Sequence, residues 1–172
     1  MKILITIITS VFLLFFTPDK NDDLIIIHGK SLGKIVLGKT TKKEVENYIG
    51  KGKKETFYYL NRNEKKSNKY VYPDRGIELC YTKGDTIFNI TIKKNCKYKT
   101  DKGIGIGSSI EDVKKAYGEP ENIKTTEKLY SMKSIIIGID YKHINYSLEA
   151  QFQNDDKIVY KVDEIDMYNY DF

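Results

Sequence analysis

The chain has 172 residues and a mass of 20.0 kDa, with 40% hydrophobic residues, 31% charged residues and a net charge of +5. That length suits one domain or two small ones, and the composition is that of a globular chain, neither disordered nor collagen-like. Two Cys are too few for a disulfide scaffold, and His28, Cys80, Cys96 and His143 lack the close Cys–Cys and His–His spacing of a zinc site.

The N-terminus carries the first signal. Lys2 precedes an apolar run over residues 3–16, broken only by Thr6, Thr9 and Ser10, and then comes Thr17-Pro18-Asp19-Lys20. A basic residue before fourteen mostly apolar ones reads as a secretory signal peptide over residues 1–20, too short to span ~30 Å of hydrocarbon. No Cys follows the run, which disfavours a lipid anchor. No later stretch is long and apolar enough to cross a membrane, so the mature chain is expected without a transmembrane span, in the periplasm or secreted.

Two segments of the remainder echo each other. Gly33-Lys-Ile-Val-Leu-Gly38-Lys-Thr-Thr41-Lys-Lys-Glu44-Val45-Glu-Asn-Tyr48-Ile49-Gly50 is matched by Gly103-Ile-Gly-Ile-Gly107-Ser-Ser109-Ile-Glu-Asp112-Val113-Lys-Lys-Ala-Tyr117-Gly118. Thr41 with Glu44, and Ser109 with Asp112, have the spacing of capping boxes. Val45, Tyr48 and Ile49 form one apolar stripe, and Ile110, Val113 and Tyr117 another. Gly50 and Gly118 stop the helices. Two turns of helix cannot stand alone, so a sheet must hold each stripe. Strands are predicted over residues 56–60, 69–72, 77–82 and 86–93, then over 123–130, 133–141, 146–153 and 157–166. Gly84-Asp85 predicts a two-residue hairpin loop pairing 81 with 88, 79 with 90 and 77 with 92. A later hairpin pairs 152 with 158, 150 with 160 and 148 with 162. In that register Cys80 faces Asn89 while Cys96 lies far along the chain, so both thiols are expected free. The expected fold class is α+β: two tandem units, residues 21–100 and 101–172, each a short helix plus a four-stranded antiparallel meander. Together they would form a saddle-like sheet with helices on one face.

The pattern Gly-x-x-x-Gly-x-(Ser/Thr)-x-x-(Glu/Asp)-Val-x-x-x-x-Gly, met by residues 103–118 and, with a longer entry loop, by residues 33–50, each followed by antiparallel strands, resembles the tandem units of β-lactamase inhibitory protein. It is also similar to the single unit of small outer-membrane lipoproteins that serve barrel assembly. The resemblance covers roughly residues 32–168. It implies helices behind a concave open face, and a role as an inhibitor or an envelope-assembly factor. The chain departs from those families in having no Trp and no lipid-attachment Cys.

No enzyme reading finds a residue set. Gly33-Lys-Ile-Val-Leu-Gly38-Lys39-Thr40 satisfies the phosphate-loop pattern, but Ile35, Val36 and Leu37 favour an extended, buried backbone over a cradle of inward amides. Gly103-Ile-Gly105-Ile-Gly107 has Ser108 where a dinucleotide fingerprint needs its third Gly. His28 and His143 have no carboxylate, Ser or Cys at motif spacing, and neither Cys sits at a helix N-terminus. Asp155, Asp156, Asp163, Glu164 and Asp166 lack a calcium-loop spacing. The expectation is no catalytic residue, no metal, no cofactor and no nucleotide.

Charge and tyrosine point to binding. Residues 20–100 hold 19 Lys and Arg against 9 Asp and Glu, whereas residues 101–172 hold 9 against 14. Such a dipolar chain can be steered onto a charged partner. Fourteen Tyr against seven Phe and no Trp supply rigid contact area with a polar tip. The candidate binding residues are Tyr58, Tyr59, Tyr70, Tyr72, Tyr130, Arg62, Lys65 and Lys66. A four-residue loop at Pro73-Asp74-Arg75-Gly76 would put Tyr70 and Tyr72 on the face of Ile77 and Leu79; a three-residue loop would put them opposite. The expected partner is a protein in the cell envelope or outside the cell, bound through the open sheet face, with no nucleic acid. The alternative is electrostatic binding of an anionic polymer or membrane surface through the basic residues before 100.

Overall fold

The computed structural model describes residues 24–58, 66–128, 134–152 and 158–169. Three two-residue strands come first: β1 (Ile26–Ile27), β2 (Ser31–Leu32) and β3 (Ile35–Val36), paired in that order as a small antiparallel sheet. They bury Leu24, Ile26, Leu32, Ile35 and Leu37. Helix α1 (Lys42–Ile49) follows, and strands β4 (Lys53–Tyr58), β5 (Lys66–Tyr72), β6 (Ile77–Tyr81) and β7 (Ile87–Ile92) come next. Helix α2 (Ile110–Tyr117) precedes β8 (Asn122–Lys128), β9 (Ser134–Tyr141), β10 (Ile144–Phe152) and β11 (Ile158–Tyr168).

All eight longer strands join one antiparallel sheet in the order β4-β5-β6-β7-β11-β10-β9-β8. Its register builds two apolar rows on one face. One row runs Tyr72, Ile77, Ile92, Ile165, Tyr146, Ile139 and Ile123; the other runs Tyr70, Leu79, Ile90, Met167, Ile144 and Tyr141. Except for Ile123, half-exposed on edge strand β8, every member is buried in one cluster with the small sheet and with Val45, Ile49 and Val113 of the helices. The helices and the small sheet therefore cover this face.

Local signals read correctly at the helices. Thr41 and Ser109 each accept from the N3 amide while Glu44 and Asp112 reach back to the cap amide, so both capping boxes are complete. Tyr72 pairs with Ile77 across the four residues Pro73 to Gly76, which settles the open alternative: Tyr70 and Tyr72 share the face of Ile77 and Leu79. Gly76 has φ +65°, and a Cβ there would lie 2.5 Å from the Cys96 amide nitrogen, so this turn accepts no side chain.

The tandem α+β expectation is corrected. The described residues are mostly β, with one continuous eight-stranded sheet, a separate three-stranded sheet and two eight-residue α-helices. Two causes are physical. Residues 24–37 form strands of two residues, too short to show the alternation by which a strand is recognised. The β7–β11 ladder, Ile92 with Ile165 and Ile90 with Met167, joins residues more than seventy positions apart, and no local pattern encodes it. The first hairpin also differs at its tip. Thr82 and Thr86 close a three-residue loop with Asp85 at φ +60°, so Tyr81 pairs with Ile87 instead of with residue 88. A bulge at Phe88 absorbs the extra residue and restores the pairs 79 with 90 and 77 with 92. The last hairpin keeps its three expected pairs, and a bulge then follows at Asp163.

Candidate functional site

The face opposite the apolar rows carries the alternate residues of the same strands. Val71, Glu78, Thr91, Asp166, Asn145, Asp140 and Asn122 stand opposite one another in a single row crossing β5 to β8. Strand alternation forces this: each polar residue lies one step from a core residue. Hydrogen bonds tie the row sideways. Thr91 Oγ1 donates to Asp166 Oδ1 at 2.5 Å and lies 3.1 Å from Asn89 Oδ1. Asn145 Nδ2 donates to Asp140 Oδ1 at 2.6 Å, and Ser147 Oγ donates to Asn145 Oδ1 at 3.3 Å. Lys124 pairs with Asp140 at 3.1 Å.

A second set of charges crosses the centre. Lys69 donates to Glu78 at 3.1 Å, and Lys93 bridges Glu78 and Glu164 across the β7–β11 seam. Lys94 pairs with Glu149 at 3.2 Å. Burial holds the Asp166 carboxyl above the usual carboxylate range, and the Thr91 hydrogen bond only partly offsets it. Burial also raises Asp163, with Glu149 and Glu164 adding to the shift, and Asp163 Oδ1 is buried without a hydrogen-bond partner among the described residues. Burial opposes the charge on Lys93, but Glu164 and the other carboxylates outweigh it and hold the ammonium above its ordinary range. The result is an array of donors and acceptors of both charges, held by its own hydrogen bonds and ion pairs. Cys80, on the same face, has its thiol pushed up to about 11 by burial and is protonated at neutral pH.

Four of the eight residues expected from sequence fall among the described residues. Tyr70 and Tyr72 lie in the core, where a Cβ on Gly52 would meet the Tyr72 ring at 2.7 Å. Tyr58 and Lys66 pair with each other at the end of the β4–β5 ladder. Tyr59, Arg62, Lys65 and Tyr130 lie outside the described residues, as do residues 1–20 and the loop at Asn154, Asp155 and Asp156. What the tyrosine reading missed is the polar row, whose signal is the period-2 alternation at Glu78, Thr91, Asp140, Asn145 and Asp166.

The phosphate-loop segment is committed elsewhere. The amides of Leu37, Gly38, Lys39 and Thr40 donate to Lys30, Ile87, Val36 and Val36 carbonyls, and the Val36 amide donates to Thr40 Oγ1. Those are the donors a phosphate cradle would require. Both cysteines are free and buried. Among the described residues no three His, Cys, Asp or Glu side chains gather as a metal site, and no helix is long and apolar enough to cross a membrane.

No family model matches the chain, and no curated protein sequence matches it. The fold is similar to the crystal structure of a DUF4309 family protein from Bacillus subtilis subsp. subtilis str. 168, at 15% identity and a TM-score of 0.41. That likeness covers 81% of this chain and 87% of the other.

Proposed function

We propose that this is an exported, non-catalytic protein-binding module that engages its partner through the polar face of the eight-stranded sheet. The observation that supports it is the row from Glu78 to Asn122, fixed by its own hydrogen bonds on a face that carries none of the apolar cluster. Groups already held in place lose little rotamer freedom on docking, and mixed charge selects a partner of matching pattern. An inhibitor of a secreted enzyme and an envelope-assembly factor both fit this reading.

The test is site-specific photo-crosslinking of the mature protein in an envelope or secreted fraction. A crosslinker at Asn145 should capture a discrete protein, and one at the exposed Lys43 on α1 should not. Capture should persist at about 0.5 M salt, where exposed charge pairs are screened. Capture from Lys43 alone would place the interface on the helix side and refute the reading. Binding to an anionic polymer that weakens steeply with salt would instead favour the exposed lysines of β4, Lys53 and Lys54.

A further inference from the structure

We propose that His28 is an acid-sensitive latch: neutral, it fastens the three-stranded sheet to α2 and the β9–β10 hairpin, and protonated it lets that sheet loosen. The residue stands just beyond β1. Its ring stacks on Tyr117, the last residue of α2, with centroids 4.0 Å apart and planes 29° apart. Tyr141 at the end of β9 meets it edge-on at 5.4 Å, and Tyr146 of β10 lies 5.9 Å away. The neighbouring backbone is seated just as closely: a Cβ on Gly29 would lie 2.8 Å from the Lys142 carbonyl oxygen. The imidazole and the β1–β2 turn that carries it are therefore both seated against α2 and the β9–β10 hairpin.

The nest suits a neutral ring. Among the described residues Nε2 of His28 is buried with no hydrogen-bond partner, so a proton placed there would meet no acceptor among them. The groups facing the ring are Tyr117 from α2, Tyr141 from β9, Tyr146 from β10, and Asp101 and Lys102 from the segment before α2. The Lys102 ammonium already sits over the Tyr117 ring at 4.7 Å while donating to the Ala116 carbonyl at 2.6 Å. A second cation stacked on that same ring would meet repulsion from the first.

Burial, then Lys102, lowers the imidazole's pKa below its usual 6.5, and Asp101 opposes them without prevailing. Burial pushes the three tyrosine hydroxyls upward, away from this range. The sign follows from linkage. An unfolded His28 takes up its proton near its ordinary pKa, about 6.5, whereas the seated ring resists it. The latch is fully closed above that value and weakens as pH falls from there towards the lower folded pKa.

Titration of the full chain by NMR, with the two imidazoles told apart by His143→Gln, reads the proposal directly. His28 should titrate clearly below 6.5. Between pH 7 and pH 5, hydrogen-exchange protection factors at Ile26, Gly33 and Leu37, whose amides bond to Lys99, Ile25 and Lys30, should fall. Those at Ile90 and Ile165 should hold, and His28→Gln should flatten the response of the small sheet. A His28 pKa at or above 6.5 would overturn the proposal, as would protection lost equally in both sheets. If His28→Gln does not fold, the wild-type titration and exchange still decide.

Discussion

Val45 and Val113 are both 0% exposed, and Val113 is the one buried residue of α2. An eight-residue helix has no independent stability, so each is held mainly by what its valine buries. Val113→Ala deletes two methyl groups from the core, worth roughly 0.8 kcal/mol each, or about 1.6 kcal/mol of lost transfer energy. The sheet beneath is built of paired Ile, Leu and Tyr side chains and cannot close the gap fully, so a cavity term raises the expected loss to about 2–3 kcal/mol. For a chain of this size that corresponds to a drop of roughly 4–12 °C in melting temperature. Val45→Ala should cost about as much, with Ile49 retained as a second anchor on α1. Urea and thermal unfolding followed by far-ultraviolet circular dichroism measure both. Because β7 and β11 fuse the two sets of strands into one sheet, each variant should show a single cooperative transition at a lower midpoint. A loss under about 0.5 kcal/mol would mean the helices are not docked as described. Two separate transitions would mean the shared sheet does not couple the halves.

Gly76→Ala should destabilise by roughly 3 kcal/mol or more, since a positive φ and a Cβ 2.5 Å from backbone nitrogen act together; Gly103→Ala, also at positive φ but with open space around it, should cost about 1 kcal/mol in the same urea assay. Both thiols should resist alkylation at pH 8 in the native protein and react together on unfolding, because burial raises each thiol's pKa; rapid native labelling of either would contradict that placement. Asp166→Asn should raise the melting temperature at pH 7. Its carboxyl is held above the ordinary range by burial, so the charged form opposes folding as pH rises through the folded pKa, and the amide removes that opposition; an unchanged or lower midpoint would show that the Thr91 hydrogen bond outweighs burial.

What the chain shows locally, it shows well. Thr41, Glu44, Ser109 and Asp112 mark both helix starts because a cap is a contact between residues three apart. Ile77, Leu79, Ile90 and Ile92 pair as their alternation implies, because a hairpin register is decided within about fifteen residues. The candidate site was hidden for the opposite reason. Asp166 meets Thr91, and Glu164 meets Lys93, only because β7 pairs with β11 across the length of the chain. Nothing near either residue records that pairing. The tyrosine signal is ambiguous because the same ring serves a core as well as a surface. Tyr70, Tyr72 and Tyr146 lie on the positions of the apolar rows, and for Tyr70 and Tyr72 the strand parity that fixes the face depends on whether the Pro73 turn holds three residues or four. Parity also assigns the polar residues between them to the uncovered face.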